Sequence, residues 1–192
     1  MRLMLISFAL IVGVGYLLGG RLSNLTTLKI RWAPLAMVGF ILQLINPPGD
    51  WPLVFLATSF VLLWIFAIGN LGTPGFGVIA IGVALNFLVI VANDGMPVSA
   101  GALEGSGQQD TIADLTNHAD AYVKHHLADD DDVVLFLGDV IGVPAPVSQA
   151  ISVGDLFTYG GVGIVVVAGM RRRRSDPAPA GAEVREAEGV RA

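Results

Sequence analysis

Apolar residues gather into long runs separated by short polar breaks. Four are long, Leu3 to Leu18, Trp51 to Ile68, Phe76 to Ala92 and Leu156 to Met170, and a shorter one covers Ala33 to Ile45. A helix that crosses a bilayer needs about 20 mostly apolar residues, and about 17 at the least. The first, second and fifth helices must therefore borrow flanking residues such as Gly19, Trp32 or Asn46. The pattern predicts an all-α integral membrane protein, a bundle of about five transmembrane helices over residues 3–20, 32–46, 51–69, 75–93 and 155–171. Pro34 falls at the start of the second, where a missing amide hydrogen is tolerated, and Asn46-Pro47-Pro48-Gly49 ends it.

Composition agrees with the runs. Of 192 residues, 54% are hydrophobic and only 14% charged, and the mean hydropathy of +0.69 is far from that of an ordinary soluble domain. Cysteine is absent, so disulfides and thiolate metal sites are excluded. The first run has only Arg2 before it and no small-x-small cleavage site after it, and the basic segment GGRLSNLTTLKIR follows. It reads as a retained helix, not a cleaved signal.

The net charge of −5 hides a segregation that sets an orientation. With the N-terminus outside, the cytoplasmic segments hold Arg21, Lys29, Arg31 and Arg171 to Arg174, while the outer ones hold only Arg2 and Lys124. The expectation is a multi-pass plasma-membrane protein with its C-terminus in the cytoplasm. Residues 1–170 form the helical domain, and residues 171–192 a tail that is basic and then, in SDPAPAGAEVREAEGVRA, disordered. Membrane lipids are its expected partners.

Residues 94–154 make an extracytoplasmic loop too long for a passive connection. Within it, Asp110 to Leu127 carries Ile112, Leu115, Ala119 and Tyr122 on one face, with a weak capping box from Thr111 and Asp114, and predicts a short amphipathic helix. Val133 to Val143 is mostly apolar but too short to span. A re-entrant or interfacial segment is expected there. His118, His125 and His126 lie among aspartates without the spacing of a closed metal site. No metal, cofactor or nucleic-acid partner is expected.

Chemistry concentrates in FLGDVIGVPAPVSQAISVGDLFTYGG, where Asp139 and Asp155 have apolar surroundings. One reading has both carboxylates cap helices, Asp155 the last span and Asp139 a short helix starting at Val140. In the other, the link between them, kept extended by its two prolines, folds the carboxylates together to share one proton and one charge. That is the arrangement of an aspartyl peptidase, in which the ionised acid activates water and the protonated one polarises the scissile carbonyl. Asn86 and Asn93, seven residues apart on one helix face, read as inter-helix hydrogen-bonding groups.

Helix by helix, with GGRLSNL after the first span, ANDGMPVS after the fourth, and FLGDVI and SVGD before the last, residues 1 to about 170 resemble an uncharacterised family of small bacterial membrane proteins. More distantly, Asn93-Asp-Gly95-Met-Pro-Val-Ser99, Asp139-Val-Ile141 and Ser152-Val-Gly154-Asp155 are similar, in order and sidedness, to the motifs of lipoprotein signal peptidases. That resemblance implies a dyad of Asp139 and Asp155. It also implies a substrate contact set of Asn93, Gly95, Ser99, Ser152 and Asn86, a lid over residues 100–132, and a membrane-anchored peptide or lipoprotein as substrate. The chain departs from the peptidase pattern in three ways: residues 100–132 are hydrophilic where two helices would fall, an Asn-x-x-Asp-Arg segment is missing, and serine replaces asparagine at 152. The alternatives are a non-enzymatic membrane scaffold or partner-binding protein and, with no charged residue inside any span, a less favoured transporter subunit.

Overall fold

The computed structural model describes residues 2–49, 51–117 and 124–172. Five apolar helices are present: α1 (Arg2–Leu17), α2 (Ala33–Leu44), α3 (Trp51–Ile68), α4 (Phe76–Ala92) and α7 (Val153–Arg171). Of these, α3 and α7, at 18 and 19 residues, are long and apolar enough to cross a membrane, and α1, α2 and α4 are shorter. The 12 residues of α2 make only about 18 Å of helix against roughly 30 Å of hydrocarbon. Its ends are set locally by Pro34 in the first turn and the extended backbone at Ile45.

The helices pack as an open arc in which α2 lies on α3, α3 on α4, α4 on α7 and α7 on α1. α4 and α7 come closest, because their contact is built from glycine. A Cβ on Gly82 would stand 2.6 Å from the Thr158 amide nitrogen, and one on Gly154 would stand 2.6 Å from Asn86 Cγ. Small residues let two helix backbones approach this far, as in membrane helix pairs. A 3₁₀ turn, Leu22–Thr27, connects α1 to α2 and packs against α7. Asn24 Nδ2 and the Arg21 amide both donate to the Met170 carbonyl at 2.8 Å.

Between α4 and α7 the chain builds a small domain where a loop was expected. It contains β1 (Met96–Val98), α5 (Ala100–Ser106), α6 (Gln109–Asn117), β2 (His125–Leu127), a 3₁₀ turn (Leu135–Leu137), β3 (Ile141–Val143) and β4 (Gln149–Ile151). β1 and β2 pair in parallel, Met96 opposite His125, and β3 and β4 pair antiparallel, Ile141 opposite Ile151. The domain has its own core of Val98, Ala102, Leu103, Leu115 and Ala150. A second cluster, Leu56, Val89, Ile90, Met96 and Leu137, joins it to the ends of α3 and α4.

Several expectations are corrected here. The protein is mostly helical but not all-α, since two small sheets occupy the segment between α4 and α7. The helix expected over Asp110 to Leu127 is present over Gln109–Asn117, from one residue earlier, and 125–127 is a strand; the 118–123 part lies outside the described residues. Strand wins at the far end because β1 offers His125–Leu127 a ladder. Val133 to Val143 holds a 3₁₀ turn laid against α4 and α7 and a strand, β3, laid against α5. The link after Asp139 is not extended, because β3 and β4 pair antiparallel and residues 144–148 must reverse the chain between them; the Ala145–Pro146 peptide is cis. The tail beyond Arg172 lies outside the described residues.

The glycine contact is testable. Gly154→Ala would place a methyl group against the Asn86 side chain, and the expected result is a loss of about 1–3 kcal/mol of stability, whereas Gly160→Ala, with nothing within 4 Å, stays near wild type. Thermal unfolding of the two purified variants distinguishes them.

Candidate functional site

The site begins at the N-terminus of α7. Ser152 is its N-cap: the Ser152 Oγ accepts from the Asp155 amide at 2.9 Å, and the Asp155 Oδ2 accepts from the Ser152 amide at 3.3 Å. This reciprocal capping box pairs two backbone N–H groups that the helix leaves open and puts a carboxylate at the positive helix end. Asn86, one strand of contact away on α4, completes the network. Its Nδ2 donates to Asp155 Oδ1 at 2.8 Å, and its Oδ1 accepts from the Ser152 Oγ at 2.8 Å. The inter-helix role read for Asn86 in the sequence is realised, on Asp155, one of the two carboxylates of the candidate pair.

Asp139 sits differently and caps no helix. Its amide donates to the Pro97 carbonyl at 2.9 Å and its carbonyl accepts from the Ser99 amide at 3.1 Å, a single parallel bridge to the end of β1. The residue is 9% exposed, and its Oδ1 is buried without a hydrogen-bond partner. Burial, and after it the charge of Asp155, raise its carboxyl to about 8. The protonated acid is therefore the ordinary form of Asp139 at neutral pH; Asp155, its carboxylate held by the Ser152 amide and Asn86 Nδ2, adds to the larger effect of burial.

The three sequence segments therefore converge, though not all of their residues do. Ser99 touches Asp139 through the backbone and starts α5. Asn93 is spent on the chain itself: its Oδ1 accepts from the Val133 amide at 2.7 Å and its Nδ2 donates to the carbonyls of Val133 at 3.0 Å and Val89 at 2.8 Å. Both of its N–H groups are occupied, so it anchors the 133–139 segment rather than offering a donor to a ligand. Gly95 is buried, with φ at 150° and its amide on the Ile90 carbonyl. It turns the chain from α4 into β1, where a side chain would be strained.

Two features of the site were not read from the sequence, in which His125 stood only as a candidate metal ligand. His125, opposite Met96 on β2, lies within the field of Asp155. Its imidazole is held below the ordinary value by the crowding of protein around it first and by the neighbouring Lys124 charge, against the opposing pull of Asp155, although the residue itself is exposed at the surface. Only the β1–β2 pairing brings it here, and parallel pairing leaves no local sequence signal. The second is a cavity of about 420 Å³ in the hollow of the arc, lined by apolar side chains including Phe8, Phe40, Phe60 and Val83, with Gln43, Asn86 and Asp155 as polar groups. All five apolar helices contribute to its wall. Among the described residues no group of three His, Asp or Glu side chains could hold a metal ion.

A family model of a family of unknown function, DUF5317, matches residues 27–167. An uncharacterised protein of Thermotoga maritima is 32% identical over 167 residues, which cover 85% of this chain and 90% of that protein. No solved structure matches. The family match takes in the Asn93–Ser99 segment, Asn86, Asp139 and Asp155, and the chain belongs to the DUF5317 family of unknown function.

Proposed function

We propose that this is a multi-pass plasma-membrane protein, N-terminus outside and C-terminus cytoplasmic, that carries an aspartyl-peptidase-like site at its outer face. Two observations support the membrane setting. Only 28% of each of the two span-length windows is buried inside the protein, unlike the core helix of a soluble domain, and side chains such as Leu10, Leu17, Phe40 and Leu44 are 60% or more exposed on the other helices. Apolar surface on this scale needs lipid or a partner to cover it. Charge divides along the same axis. Among the described residues every Asp and Glu falls between Asp94 and Asp155, while Arg21, Lys29, Arg31, Arg171 and Arg172 gather at the opposite end, the distribution of a positive-inside protein.

The observation that carries the enzymatic reading is the asymmetry of the two carboxyls. Asp139 is buried, unpartnered and protonated near neutral pH; Asp155 is fixed by Asn86 and the Ser152 amide and supplies the charge that raises it. Each carboxylate oxygen has a second lone pair, so Asp155 can still accept a water proton while Asp139 donates to a scissile carbonyl. Water then adds to the carbonyl carbon, its proton passing to Asp155, and the amine leaves with a proton returned from the pair. The cavity beside Asp155 would hold the apolar segment of a membrane-anchored peptide, in contact with Asn86 and Gln43. Ser152 positions Asp155, and Asn93, Gly95 and Ser99 position Asp139 through β1. α5, α6 and β2, which fall in the segment expected as a lid over 100–132, would flank the substrate as parts of a folded domain.

One observation favours the scaffold reading instead: Asp155 occupies a complete capping box, a role that requires no substrate. The two readings separate in cells. Asp139→Asn leaves the box intact, so a peptidase loses cleavage at least 10²-fold, in line with loss of a general acid, while a scaffold keeps its function. Comparison of membrane-protein N-termini between wild type and Asp139→Asn strains makes the test; identical sets of processed termini would sink the peptidase reading.

The pair also predicts a pH dependence of stability. A carboxyl at 3.8 in the unfolded chain and about 8 when folded binds its proton more tightly in the folded state. Its contribution is fully present below the unfolded value and is lost as pH rises through the folded one. Stability should fall by several kcal/mol in total between about pH 4 and pH 8 and then level off. Denaturation of Asp139→Asn, measured across that range, should lack this component and exceed wild type most at pH 8. A wild-type protein whose stability rises with pH over the window would contradict it.

A further inference from the structure

The basic end of the bundle encloses a cavity of about 650 Å³, unconnected with the aspartates. It lies between the Thr27–Lys29 segment, the turn from α3 to α4 at residues 72–74, and the last turn of α7, and is lined by Lys29, Arg171 and Arg172 with Thr27 and Thr73. Its floor is apolar, formed by Leu28, Val165 and Ala168. The cations come from two stretches of chain some 140 residues apart, yet their convergence is fixed by backbone. Asn24 Nδ2 and the Arg21 amide hold the Met170 carbonyl at 2.8 Å, and Asn70 clamps Arg31, accepting from its amide at 2.8 Å and donating to its carbonyl at 2.9 Å.

None of the three cations has a carboxylate partner among the described residues. His126 pairs with Asp132 in the domain at the far end, and among the described residues no acidic side chain lines this cavity. Thr73 adds a hydroxyl that bonds no protein group among the described residues, since its only hydrogen bond there is from the amide to the Asn70 carbonyl. Three like charges around one hollow repel each other unless an anion joins them. A phosphate group fits the requirement. Its oxygens accept from ammonium, guanidinium and hydroxyl donors together, and an apolar tail continues onto the floor along α7.

We infer that this cavity is a binding site for a phosphate-bearing ligand, namely the head group of an anionic phospholipid, with its acyl chain against Val165 and Ala168. The site shares only the membrane setting with the peptidase reading, so loss of either aspartate leaves it unchanged. It differs from a diffuse basic collar, because Arg21 and Arg31 stand at the same end outside the cavity.

The test uses purified full-length protein in detergent, titrated with phosphatidylglycerol, phosphatidylcholine or inorganic phosphate and read by native mass spectrometry. One phosphatidylglycerol is expected per chain, in preference to phosphatidylcholine. The double variant Lys29→Gln/Arg171→Gln is expected to bind it roughly tenfold or more weakly, and the equally charged Arg2→Gln/Arg21→Gln is expected to bind as wild type. Displacement by millimolar inorganic phosphate supports recognition through the head group. Binding of phosphate with no retained lipid keeps the phosphate site and reassigns its source to the free anion. Equal loss in both double variants, or none in either, overturns the proposal. The substituted side chains are exposed, and circular dichroism verifies the fold of each variant; if the first double variant does not fold, Lys29→Gln alone is read by the same criteria.

Discussion

The structure depends on one helix-to-helix joint, where Asn86 of α4 meets the N-terminal turn of α7. Gly82 and Gly154 remove the side chains that would hold the helices apart, and at the distance this permits, Asn86 bonds both members of the capping box, Ser152 and Asp155. A hydrogen bond to a charged group contributes about 1.5–3 kcal/mol, so the joint stabilises the helix pair while it fixes the carboxylate. The site is thus part of the packing, and α7 cannot shift along α4 without releasing Asp155. The cavity in the arc and the domain above it both take their position from this pair, since α1 rests on α7 and the chain between β1 and β4 begins and ends on α4 and α7.

The second organising device is asparagine at the ends of helices. Asn70, just after α3, and Asn93, just after α4, each donate to a carbonyl four residues back and grip both backbone groups of a distant residue, Arg31 and Val133 respectively. Each clamp satisfies a carbonyl that the helix end leaves open and pins a segment that has no regular structure of its own. One fixes the linker that feeds α2 at the basic end. The other anchors the chain that delivers Asp139. The two proposed sites, at opposite ends of the bundle, therefore rest on the same local solution.

What could be read from the sequence follows from the range of the forces involved. The apolar runs mark five helices close to their observed positions, because a helix is a local structure and the runs have abrupt polar ends such as Asn46-Pro47-Pro48-Gly49. The Ser152–Asp155 cap is equally local. The domain between α4 and α7 was not legible as a fold, since its sheets pair residues separated by 29 positions in β1–β2 and its helix pattern runs past Asn117 into what becomes strand. The site was half legible. Asp139 and Asp155 stand out by their apolar neighbours, but the difference between them, one in a cap and one buried without a partner, arises from the Val98–Asp139 bridge and from Asn86.

The central claim is that the two carboxyls share one proton and one charge at neutral pH, with the proton on Asp139. The most direct measurement is the carboxyl stretch of Asp139, followed by difference infrared spectroscopy across pH 4 to 10 and assigned by its loss in Asp139→Asn. The account predicts a protonated carboxyl that persists through neutrality and titrates near 8, and that titrates lower when Asp155→Asn removes the neighbouring charge. Titration of Asp139 near 4, unmoved by Asp155→Asn, would contradict it.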